Sequence, residues 1–133
     1  MWRIEFSSAE FLPYLPEDAQ ANPGVYGFEL ALWLSRALAE RGITTSYPLG
    51  EDWGWFIEYI EGELEVMIGC SSMADEGEGY TGKPIDWSIF VKPHRSVKSF
   101  FGRREESPAP GRLTQAIEAV LAAKGIDVKH DDG

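Results

Sequence analysis

From Tyr26 to Arg41 the apolar residues Tyr26, Leu30, Trp33, Leu34, Ala37 and Leu38 recur every three or four positions, while Glu29, Ser35, Arg36, Glu40 and Arg41 take the other faces. That period is the mark of an amphipathic α-helix. A helix of this kind must lay its stripe on an apolar surface, so the rest of the chain has to supply one. Its end is also marked. Gly42 suits the left-handed position just past a helix, and Ile43 is placed to fold back on Leu38, as a Schellman motif requires. A second stripe, Leu113, Ala116, Ile117, Val120 and Leu121, stops in the same way at Gly125 and Ile126. The echo of residues 38–43 in residues 121–126 fits an internal repeat, but a shared way of ending helices explains it more simply.

The surface for these helices lies between them. Residues 53–60 and 63–70 flank Glu61-Gly62, which reads as the two-residue turn of a β-hairpin. With that turn, Tyr59 faces Leu64, Ile57 faces Val66, Trp55 faces Ile68 and Trp53 faces Cys70, which makes one side of the hairpin apolar. On the other side Glu58 stands opposite Glu65, a like-charge pair that Lys92 or a basic partner would relieve. Residues 85–92 alternate Ile85, Trp87, Ile89 and Val91 with Asp86, Ser88, Phe90 and Lys92, and residues 2–6 alternate Trp2, Ile4 and Phe6 with Arg3 and Glu5. Both read as half-buried strands. Short strands are expected at 43–47 and 126–128, whereas Pro13 and Pro16 hold residues 7–24 to a connection with at most a helical turn. The expected fold is α+β: an antiparallel sheet of about four to five strands with a central hairpin, covered on one face by two amphipathic helices. A chain of 133 residues fits a single domain, 1–133. Long loops are expected near 71–84 and 93–111, and loops of that length are functional or mobile.

Charge narrows the choice of partners. The chain holds 22 acidic and 12 basic residues, net −10 with histidines neutral. Residues 1–91 carry 16 acids and 4 bases, and residues 92–133 carry 6 acids and 8 bases. An acidic field repels phosphate backbones and anionic lipid, which disfavours nucleic acid and membrane surfaces and favours a basic protein partner. No apolar run is long enough to span a bilayer, and the residues after Met1 lack the pattern of a secretory leader. The lone Cys70 cannot form an internal disulfide, so the expected compartment is the cytoplasm.

The stretch Tyr26-Gly27-Phe28-Glu29-Leu30-Ala31-Leu32-Trp33-Leu34, then Gly42-Ile43, Tyr47-Pro48 and Glu51-Asp52-Trp53-Gly54-Trp55, resembles the signature segment of a family of small bacterial α+β proteins of uncharacterised function. It spans roughly residues 22–60. The resemblance implies a bacterial α+β domain and carries over no catalytic or ligand-binding residue.

The remaining candidates each have a plainer reading. Glu51 and Asp52 before an aromatic strand suit an acid/base pair, but adjacent residues in an extended chain point to opposite sides, which favours a turn. Cys70 with His94 suits a nucleophile and base, although a free cysteine is usually a small buried hydrophobe. Two histidines and one cysteine give no metal-ligand spacing, and the acidic run Asp75-Glu76-Gly77-Glu78-Gly79 lacks the pattern of a calcium loop. No phosphate-cradling glycine motif is present, so no cofactor is expected. The cluster His94, Arg95, Lys98, Arg103 and Arg104 around Phe100 and Phe101 suits stacking on single-stranded nucleic acid, yet a basic loop docked on the protein's own acidic surface fits the overall charge better. Two functions remain. The first is a non-enzymatic interaction module with an acidic face around Glu58 and Glu65. The second is a small-molecule binder or modest hydrolase with a pocket near Glu51, Asp52, Trp53, Tyr80 and His94.

Overall fold

The computed structural model describes residues 2–13, 19–20, 25–61, 64–73, 83–96 and 111–130. Among these described residues eight elements follow in chain order: β1 (Trp2–Ser8), α1 (Phe28–Glu40), β2 (Leu49–Glu51), β3 (Gly54–Glu61), β4 (Leu64–Ser72), β5 (Ile85–Ser96), α2 (Gly111–Ala123) and β6 (Lys129–His130). The six strands form one antiparallel sheet in the order β2-β3-β4-β5-β1-β6. The fold is α+β with one more strand than the upper expectation. The alternation of each strand sends Ile4, Phe6, Ile57, Tyr59, Val66, Ile68, Cys70, Trp87, Ile89 and Val91 to one side, where they share a single core with Leu30, Leu34 and Leu38 of α1 and Leu113, Ile117 and Leu121 of α2. No described helix is long and apolar enough to cross a membrane.

Both helices end as their sequences require. Ile43 N donates to Leu38 O and Gly42 N to Ala39 O, and the same pair recurs as Ile126 N to Leu121 O and Gly125 N to Ala122 O. Gly42 and Gly125 have φ of 84° and 82°. Nothing lies within 4 Å of a methyl placed on Gly42, so Gly42→Ala introduces only backbone strain. It is expected to lower stability by about 1 kcal/mol, read from the shift of a urea midpoint at unchanged slope.

α1 begins at Phe28 rather than Tyr26, because Tyr26 is tied to the sheet: its N–H donates to Ser72 Oγ at 3.1 Å and its carbonyl accepts from Ser72 N at 3.0 Å. Nearby, Gly27 and Gly54 both close on one point of β4. A methyl on Gly54 would sit 2.7 Å from the Cys70 carbonyl oxygen, and one on Gly27 would collide with the same atom. Helix start, hairpin turn and β4 therefore meet backbone to backbone. Just past the end of α2, Lys124 fastens the 8–12 segment, with its ammonium 3.5 Å from Glu10 and 6.0 and 5.6 Å from the ring centres of Phe11 and Trp33.

The hairpin differs from its expected register by two residues. Glu61 pairs with Leu64, so Trp55 lies opposite Cys70, Ile57 opposite Ile68 and Tyr59 opposite Val66. An even shift leaves every side chain on its expected face and changes only its neighbours. The like-charge pair disappears: Glu58 is opposite Met67, and Glu65 stands between Ile60 and Arg95 in register. Trp53 drops out of the ladder altogether, because Glu51 pairs with Gly54 and leaves Asp52-Trp53 as the turn of a second, shorter hairpin.

β1, β3 and β4 end within two residues of expectation, and three strands are placed further off. β5 continues past Pro93 to Ser96, where the expected loop had begun. The ladder with β4 skips a position there, pairing Val66 with Pro93 and Glu65 with Arg95. A proline is tolerated at such a bulge, and β1 has already ended against Val91 on its other side. The strand expected at 43–47 is instead a segment held through Ser46, which donates its N–H to Glu58 O and accepts Glu58 N on its hydroxyl, and the edge strand is 49–51. Ile126 is used to close α2, so the last strand is 129–130, paired with Ile4 and Glu5. The loop residues 74–82 and 97–110, including Tyr80, Lys98, Phe100, Phe101, Arg103 and Arg104, lie outside the described residues.

Candidate interaction face

The side of the sheet away from the helices has an apolar row of its own. Leu49 of β2, Phe56 of β3, Gly69 of β4 and Phe90 of β5 stand in register across four strands, followed by Arg3 of β1. Phe56 is buried yet does not belong to the core beneath the helices. Its cover comes from the turn: the Trp53 ring lies 6.3 Å from Phe56 and 5.1 Å from Phe90, centre to centre. Gly69 makes the arrangement possible, because the Phe90 ring occupies the space that any side chain at 69 would need. Arg3 completes the row, its guanidinium 5.7 Å from the Phe90 centre and its Nη1 donating to Ser88 Oγ at 3.1 Å.

This aromatic cluster remains accessible. Trp53 is 37% exposed, Leu49 44% and Ile60 63%. Among the described residues neither helix lies on this side. The charges around the cluster are divided: Glu51, Glu58 and Glu65 face outward from β2, β3 and β4, whereas Arg3, Lys92 and Lys129 face outward from β1, β5 and β6 together with Glu5 and Asp86. The Trp53 half of the face is thus acidic, and Asp52 in the turn adds to it.

The expected site residues fall into distinct places. Glu51, Asp52 and Trp53 come together at the β2–β3 turn, in the turn geometry that adjacency favours over acid/base chemistry. His94 is at the bulge in β5, four residues beyond Phe90, which is ~13 Å along a strand. Tyr80 lies outside the described residues. Cys70 is fully buried in the core, in register between Trp55 and Ile89. Burial pushes its thiol pKa far above the ordinary value, so it stays protonated and unreactive. Ser72 spends its hydroxyl on Tyr26. Among the described residues, no three His, Cys, Asp or Glu side chains stand close enough to hold a metal ion.

Phe56, Phe90, Gly69 and Arg3 form no motif and are not candidates on sequence alone. Their one visible signal is an aromatic residue out of phase with its strand's alternation, Phe90 among Asp86, Ser88 and Lys92, beside a glycine in the neighbouring strand. No protein-family model matches the chain, and no curated protein or solved structure matches it.

Proposed function

We propose that this domain is a non-enzymatic protein-interaction module that receives a basic partner on the outer face of its sheet, over Trp53, Phe56 and Leu49. The observation that carries this reading is the aromatic cluster itself: Trp53 packs on Phe56 and Phe90 on the side of the sheet away from the helix core, partly exposed and flanked by Glu51, Glu58 and Glu65. A half-exposed tryptophan with aromatic support has the anatomy of an interface anchor, and surrounding carboxylates select and steer a cationic surface. The lone buried Cys70 and the acidic composition suit a reducing, cytoplasmic setting.

The test is cross-linked capture from the source cells at low and high salt, with each captured protein identified and then purified for titration. A genuine partner is basic, binds more weakly as salt rises, and loses about tenfold or more in affinity to Trp53→Ala and again to the pair Glu58→Lys, Glu65→Lys. Binding that ignores all three changes removes the outer face from consideration. A metabolite panel read by thermal shift separates the other reading: a specific small-molecule stabilisation lost in Trp53→Ala would make the same cluster a ligand site instead.

A further inference from the structure

Two of the described cations rest on aromatic rings, and each also has an oxygen partner. Arg3 lies over Phe90 and donates to the Ser88 hydroxyl. Lys124 lies over Phe11 and Trp33 and pairs with the Glu10 carboxylate. The same ingredients are assembled a third time at the β2–β3 turn. The Trp53 ring packs against Phe56 and Phe90, the residue keeps 37% of its surface in solvent, and the exposed Glu51 sits at the base of the same turn. None of the described cations lies over Trp53.

We infer that Trp53 and Glu51 form an open seat for an arginine side chain presented by the partner. The inference rests on reading the outer face as a protein-interaction surface, and it names the side chain that this surface takes. Arginine fits better than lysine for a physical reason. A guanidinium is planar and weakly hydrated, so it can stack on an indole that remains half in water while its edge donates to a carboxylate. An ammonium holds its water more tightly and gives up less of it at a site this open. Charge complementarity favours the same occupant, because the Trp53 half of the face carries Glu51, Asp52, Glu58 and Glu65, whereas Arg3, Lys92 and Lys129 stand on the opposite half.

The experiment compares two labelled peptides of equal length and charge, one alternating glycine with arginine and one alternating glycine with lysine, by fluorescence anisotropy against the intact chain at low salt. The arginine peptide is expected to bind at least about fivefold more tightly, in keeping with a cation over an indole at a partly exposed site. Trp53→Ala is expected to bring the arginine peptide down to the level of the lysine peptide. Glu51→Gln, which leaves the ring in place, should weaken the arginine peptide severalfold and so covers the case in which Trp53→Ala fails to fold. Equal affinity for the two peptides overturns the arginine seat and leaves the interaction reading standing. A preference for arginine that survives both substitutions places the selective contact elsewhere and also overturns the seat. Failure of both peptides to bind at low salt removes the seat and the basic-partner reading together.

Discussion

Gly27→Ala is expected to unfold the protein or lower its melting temperature by about 10 °C or more, although the substitution adds a single methyl group on the helix-forming side of the scale. The new carbon would collide with the carbonyl oxygen of Cys70 and would stand 3.3 Å from Trp55 N, and both are backbone atoms fixed in the β3–β4 ladder. A crowding side chain can rotate away; two hydrogen-bonded strands cannot. The cost should therefore reach the upper end of the range for overpacking, about 3 kcal/mol, and a domain of this size loses a few degrees for each kcal/mol. Gly54→Ala should behave alike, since its methyl would sit 2.7 Å from the same oxygen and 2.8 Å from Ser71 Cβ. Gly42→Ala is the control, because it changes only a dihedral preference. Thermal melts of the three variants that fall together would show that the convergence on Cys70 is looser than described.

Trp87→Ala is expected to cost about 4 kcal/mol, as for other large aromatic side chains emptied from a core. Trp87 is completely buried, and Phe11 meets it edge-on with ring centres 6.5 Å apart. Trp87→Phe should cost far less, within about 1 kcal/mol of the parent protein, for a specific reason. The indole N–H of Trp87 is buried without a hydrogen-bond partner, and a buried unpaired donor carries a penalty of about 1–3 kcal/mol. Phenylalanine loses some apolar area and loses that penalty with it. Urea unfolding of the two variants reads both numbers, and a Trp87→Phe variant as unstable as Trp87→Ala would mean that the N–H is satisfied in solution.

The two helices and their stops are legible because their signals are redundant: stripe, glycine and following isoleucine agree at Gly42 and again at Gly125. Register is not legible. Closing the hairpin at Glu61-Gly62 or one position later gives the same faces, so period-two patterning cannot choose between them, and the choice alone decides whether Glu58 meets Glu65 or Met67. β5 is read too short because Pro93 signals a stop, and only the ladder reveals that a bulge absorbs it. The candidate face is half legible. Trp53 stands out as an aromatic beside two carboxylates, but the residues that support it come from strands three and five of the sequence, and their contact depends on the absence of a side chain at Gly69. A missing side chain gives no pattern to read.

The place of β1 in the sheet has a consequence for the order of events during synthesis. β1 is made before every other described element, yet Trp2 pairs with Val91, Ser8 with Ile85 and Ile4 with His130. Its apolar residues Ile4 and Phe6 have no strand to join until β5 has left the ribosome. The β3–β4 hairpin, whose two strands are neighbours in the chain, can form long before that. The nascent protein thus carries a sticky, unpaired segment until β5 is made, and closing the loop between β1 and β5 is the non-local step expected to set the pace of folding.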